Sequence, residues 1–190
     1  MTQLGLLQLG GLSFEIKVAL LLTLVAVAAG FDIKSRRIPN WLVLVGLIAS
    51  FSIQLMAGSD GFKAWGLGLL VGFGLFLPLY LLRAMGAGDV KLMAMVGSFL
   101  GPLAALGAAL TTLVVGGVLA IAVALWSGAL SHTLTNVRIV LTQTMLKTLP
   151  GGVQLEAPPA SAGHLPYAVA IAAGTFIHLI LERSGHALFV

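Results

Sequence analysis

"LMAMVGSFLGPLAALGAALTTLVVGGVLAIAVALW", residues 92–126, runs for 35 positions without a charged side chain. A bilayer's hydrocarbon core is about 30 Å thick and takes about 20 helical residues to cross. The run is therefore too long for one ordinary span, and Gly101-Pro102 near its first third supplies a break. A short fourth helix before that break and a longer fifth one after it is the reading that fits. Working outward, further apolar stretches lie at about 14–31, 41–57, 64–82 and 165–181, the first carrying Glu15 and Lys17 at its outer end. The expectation is an all-α polytopic membrane protein of about six helices. One domain over 1–190 accounts for the length.

Composition agrees. The 190 residues are 59% hydrophobic and 8% charged, with a mean hydropathy of +1.09, which leaves too little polar surface for a soluble domain. There is no cysteine, so disulfides, thiolate metal sites and a Cys nucleophile are all excluded. No N-terminal stretch has the basic start, short apolar core and small-residue cleavage site of a secretory signal. A net charge of +4 could suit nucleic acid, but in a membrane protein it reflects basic residues held in the cytoplasm. Joining alternate loops puts Lys34, Arg36, Arg37, Arg83, Lys91, Arg138 and Lys147 on one side, and Lys17, Lys63 and Arg183 on the other. That asymmetry places the first group inside and both termini outside the cytoplasm.

Residues 127–165 form the long polar interval, a cytoplasmic loop. Within it Leu134, Val137, Leu141 and Met145 recur at helical spacing, with Arg138, Thr142 and Lys147 elsewhere around the turn. This suits an amphipathic helix on the inner leaflet, ended by Pro150-Gly151-Gly152; an ordered loop without a membrane role is the alternative. Glycines four apart, such as Gly68 and Gly72, are explained by close helix packing.

Among the carboxylates, Glu15, Asp60, Glu156 and Glu182 lie near termini or in loops and read as solvated charges. Asp32 directly follows the first helix, in "FDIKSRRIPN" (31–40), and Asp89 leads into the fourth, in "RAMGAGDVK" (83–91). Both fall on the cytoplasmic side, where helix packing can bring them together. Two carboxyls at one site cannot comfortably both ionise; one holds a proton while the other acts as base, an arrangement that activates water against an amide. Gly86 and Gly88 suit such a site because glycine lets a backbone bend sharply or pass close to a substrate strand. The competing reading pairs the two aspartates with Arg36, Arg37 or Lys91 as interfacial salt bridges.

"GAGDVKL" resembles the GxGD motif of intramembrane aspartyl proteases, and its combination with "DIKSRRIPN" resembles the prepilin peptidases. "HLPYAVAIAAG" (164–174) is similar to the segment that opens the family's last helix. The resemblance spans about 14–181. It implies Asp32 and Asp89 as the catalytic pair, with Gly86, Gly88, Lys91, Arg36, Arg37, Pro39 and Asn40 shaping the site or binding substrate. Arg36 and Arg37, with Lys34, serve mainly topology and lipid anchoring, because a basic patch does not attract a basic leader. Lys91 either favours an ionised Asp89 or extends to the headgroups. The larger members carry an N-terminal cytoplasmic region with paired cysteines and also methylate the new N-terminus. Lacking these, the chain resembles the small protease-only type found with tight-adherence (Flp) pili. The implied substrate is a prepilin or pseudopilin with a short basic leader. No metal, S-adenosylmethionine or other cofactor is implied.

Other chemistries fit less well. The start of a dinucleotide fingerprint in "GAGDVK" follows a membrane helix instead of a strand, and Lys91 replaces its last glycine. A serine protease built on Ser127 and His178 would need a small residue where Leu125 stands. His178 is instead expected to be hydrogen-bonded within the bundle, and His132, His164 and His186 have no ligand spacing. A non-enzymatic alternative is a transporter or pilus-assembly subunit that uses Asp32 and Asp89 as a proton relay.

Overall fold

The computed structural model of the protein describes residues 3–56, 58–82, 84–126 and 167–185. These form six α-helices and, among the described residues, no strand: α1 (Gln3–Ser35), α2 (Asn40–Leu55), α3 (Gly58–Leu81), α4 (Ala87–Leu100), α5 (Pro102–Trp126) and α6 (Tyr167–Arg183). Three stretches, Glu15–Ser35, Gly58–Leu81 and Pro102–Val123, are long and apolar enough to cross a membrane. The chain divides into two compact units, Met1–Gly116 with Pro166–Val190, and Gly117–Leu165. The expected amphipathic helix at 134–145 and the rest of the polar interval lie outside the described residues.

The charge-free run breaks where expected. Gly101 has φ +89°, a conformation that favours glycine, and its N–H bonds the carbonyl of Gly97 at 2.9 Å. Pro102 then takes the first position of α5, where its missing N–H costs nothing. At the other turn, Arg36 is the sole non-glycine residue with positive φ among those described (+52°). It stops α1 one turn later than the polar residues suggest. Asp32 therefore lies within the last turn of α1 and does not follow it, and the carbonyl of Asp32 accepts the N–H of Arg36 at 2.8 Å.

α4 is the central element of the first unit. It packs on α1, α2, α3 and α6, and from Asp89 to Phe99 every residue but Lys91 is buried. Leu21, Val25, Phe76, Leu92, Met93, Met95, Val96, Phe99 and Ile171 fill the surrounding core. In lipid, apolar side chains gain little by leaving the solvent, so close backbone packing carries the association. The α3–α4 contact shows this directly. A Cβ on Gly68 would lie 2.1 Å from the Gly97 carbonyl oxygen, and one on Gly72 would lie 2.3 Å from that of Met93. Between α2, α3 and α4 a small polar knot is fully buried at Ser50 and Ser98, whose hydroxyls are 2.8 Å apart. The Trp65 indole N–H donates to Ser50 Oγ at 3.0 Å. Large apolar side chains such as Leu44, Ile48, Leu67 and Val114 point outward, a surface suited to lipid and not to water.

Between α5 and α6 the expectation for His178 is corrected. Its ring is buried, yet neither ring nitrogen has a hydrogen-bond partner among the described residues. The ring fits against Gly107, where a Cβ would meet it at 2.3 Å. The hydroxyl of nearby Thr111 lies within hydrogen-bond reach of three carbonyls instead, those of Gly107, Ala108 and Gly174, and can donate to one at a time.

Candidate active site

Asp32 and Asp89 are the buried carboxylates among the described residues, 8% and 9% exposed, whereas Glu15, Asp60 and Glu182 are exposed. Burying a carboxylate is costly unless polar groups receive it. Each of the two is received by a backbone amide at the start of a helix. Oδ2 of Asp32 accepts the N–H of Ala168, the second residue of α6, at 3.1 Å. The first amides of a helix have no partner within it, and the helix dipole favours negative charge there. Asp89 is the third residue of α4, and its Oδ2 accepts the N–H of Gly86, the residue before that helix, at 3.1 Å. This is half of a capping box, so Asp89 has a helix-starting role whatever else it does.

The two sequence motifs meet, although the helices that carry them are far apart in the chain. Gly88 lies against Ile38: a Cβ there would be 3.4 Å from the Ile38 side chain. Nζ of Lys91 donates to Oδ1 of Asn40 at 3.1 Å. Pro39 precedes α2 in an extended conformation (φ −65°, ψ 131°), and its carbonyl accepts the N–H of Leu42 at 3.1 Å. α1, α4 and α6 pack on one another, which brings the Asp32 and Asp89 segments to one end of the bundle.

Gly86 has φ −80°, which any residue can adopt, and neither Gly86 nor Gly88 has a positive φ. What is tight at Gly86 is space, since a Cβ would stand 3.3 Å from Asp89 Oδ2. Lys34, Arg36 and Arg37 are exposed. Asp32 forms no ion pair among the described residues, and Lys91 is turned to Asn40. The exposed acids Asp60 and Glu15 instead pair with Lys63 and Arg183.

Sequence reasoning passed over the role of α6. The segment "PYAVA" (166–170) stands out in the sequence, but a backbone amide carries no signal there. Tyr167, adjacent to the Ala168 amide, makes an edge contact with Phe76 of α3 (ring centroids 6.3 Å apart).

No cluster of three or more metal-ligating side chains occurs among the described residues. Two buried carboxyls at one end of a bundle can take up and release a proton, and can polarise a water molecule or an amide carbonyl. A family model described as the type IV leader peptidase family matches residues 19–121, a stretch that holds both aspartates. No curated protein and no solved structure matches the chain.

Proposed function

The chain belongs to the type IV leader peptidase family, and on that premise we propose that it is an aspartyl endopeptidase of the bacterial inner membrane. It removes the short basic leader of a prepilin or pseudopilin at the cytoplasmic face. The observation that carries this reading is the selective burial of Asp32 and Asp89 at one end of the bundle while the other described acids stay exposed.

In the proposed reaction one carboxylate takes a proton from water as the water oxygen attacks the scissile carbonyl carbon. The other carboxyl, protonated, gives its proton to the carbonyl oxygen. The resulting gem-diol collapses when the first carboxyl gives its new proton to the peptide nitrogen, the second takes a proton back from a gem-diol hydroxyl and the C–N bond breaks, so both carboxyls return to their starting states. The backbone amides of Ala168 and Gly86 orient the two groups. Gly86, Gly88, Pro39 and Asn40 shape the floor beneath them, with Lys91 tying the two segments. Arg36 and Arg37 face the anionic headgroups of the inner leaflet.

The proposed arrangement is one membrane-embedded domain of six crossing helices with both termini outside the cytoplasm, an orientation that the distribution of basic residues supports. α4, with 14 residues, is about 21 Å long and shorter than the hydrocarbon core of about 30 Å. Its Asp89 end can therefore lie below the headgroups, where a transmembrane prepilin helix presents its first turn. The proposed activity is confined to hydrolysis, of the kind associated with Flp-type pili.

The test is cleavage of a prepilin by purified protein in detergent. Asp32→Asn and Asp89→Asn should each abolish it while the protein stays folded, and the double variant should be no worse than either, because each carboxyl is idle without its partner. Near-normal cleavage by either single variant would sink the dyad. Intact cleavage ability is also what a proton-relay subunit would lack.

A further inference from the structure

The start of α6 touches both halves of the proposed site. The Ala168 amide holds Asp32, and the helix that opens with Tyr167 packs on α4, which carries Asp89. The tyrosine ring is closely confined. Phe76, fully buried, meets it edge-on. On α5, Gly116 leaves it room: a Cβ at Gly116 would stand 2.7 Å from Tyr167 Oη and 2.9 Å from Cζ. A Cβ at the neighbouring Gly117 would meet nothing within 4 Å among the described residues.

We propose that Tyr167 is a positioning residue for the aspartate pair: its ring, wedged between Phe76 and Gly116, sets the start of α6 and thereby the spacing between Asp32 and Asp89. The proposal rests on the peptidase reading for its catalytic meaning, though the spacing itself can be measured without activity. The wedge is a matter of ring volume, so phenylalanine should serve nearly as well as tyrosine. Alanine should not, and an alanine at Gly116 should act by displacing the ring.

The test combines kinetics with a distance measurement. Misplacing reacting groups by about 1 Å costs on the order of 100-fold in rate. Tyr167→Ala should therefore lower kcat for prepilin cleavage about 100-fold while KM stays within about twofold. Tyr167→Phe should recover most of that loss. Gly116→Ala should lower kcat, Gly117→Ala should leave it unchanged, and Gly116→Ala combined with Tyr167→Ala should equal Tyr167→Ala alone.

Because the native chain has no cysteine, nitroxide labels can be placed on Ser35→Cys and Ala87→Cys. These exposed positions flank Asp32 and Asp89. Pulsed electron spin resonance should show the parent's distance distribution broadened or displaced by Tyr167→Ala and Gly116→Ala, but not by Gly117→Ala. An unchanged distribution in Tyr167→Ala overturns the proposal, as does a phenylalanine variant as impaired as the alanine one. If the parent cleaves no prepilin, the peptidase reading fails, and the distance data still decide the wedge.

Discussion

Gly72→Ala should inactivate the protein through a contact that touches neither aspartate. The added Cβ would stand 2.3 Å from the Met93 carbonyl oxygen, 3.0 Å from its carbon and 3.3 Å from Ala94 Cα. All three are backbone atoms, so no side chain can rotate away. Ordinary contact is about 3.5 Å, and α3 and α4 must part by roughly 1 Å to restore it. Overpacking of this kind costs about 1–3 kcal/mol. Met93 lies one helical turn from Asp89, so the displacement reaches the carboxyl nearly undiminished, and a shift of that size lowers turnover about 100-fold. Gly74→Ala is the matched control: two residues along the same helix, its Cβ meets nothing within 4 Å. Tm and cleavage rate per folded molecule, measured in one detergent, separate the two variants. Gly72→Ala should lose both, and Gly74→Ala neither. A Gly72→Ala protein that cleaves within about twofold of the parent at unchanged Tm would refute the idea that the α3–α4 backbone contact fixes Asp89.

Ser50→Val should behave in the opposite way. It strips Trp65 of its acceptor and Ser98 of one partner, leaving the latter its bond to the Met95 carbonyl, and costs about 1–2 kcal/mol, yet Ser98 lies nine residues beyond Asp89, about 14 Å along α4. Unfolding in detergent should come earlier, with cleavage per folded molecule kept; a large loss of kcat would show that the knot reaches the site. For topology, single cysteines at Ser35 and Ser59 probed with an impermeant thiol reagent in intact cells should be shielded and labelled respectively. Labelling at Ser35 would invert the arrangement and put the site on the wrong face.

Much of the helical plan was legible because hydropathy and breakers act locally. The Gly101-Pro102 break separates α4 from α5 as read, and the four-residue spacing of Gly68 and Gly72 marks a real backbone contact. Helix ends were less legible. Hydropathy stops at Asp32, but hydrogen bonding continues to Ser35, because a helix ends where the backbone leaves α conformation, here at Arg36. The two aspartates stood out as acids at the ends of apolar runs. Their amide partners did not, since an N–H at Ala168 looks like any other in sequence. His178 misled for a related reason. A polar side chain in an apolar helix suggests a partner, whereas Gly107 shows that shape holds the ring.

The Asp32–Ala168 bond joins residues separated by 136 positions, and this has a consequence for how the molecule is made. At about 5–20 residues per second, the amide that receives Asp32 leaves the ribosome roughly 7–27 s after the carboxylate does. Once Asp89 has followed, the nascent chain carries both aspartates but still lacks the helix start that orients the first of them. On the proposed mechanism the newborn chain would be inert until its last helix enters the membrane, and a truncated or stalled chain would not cleave the proposed prepilin substrates inserted beside it.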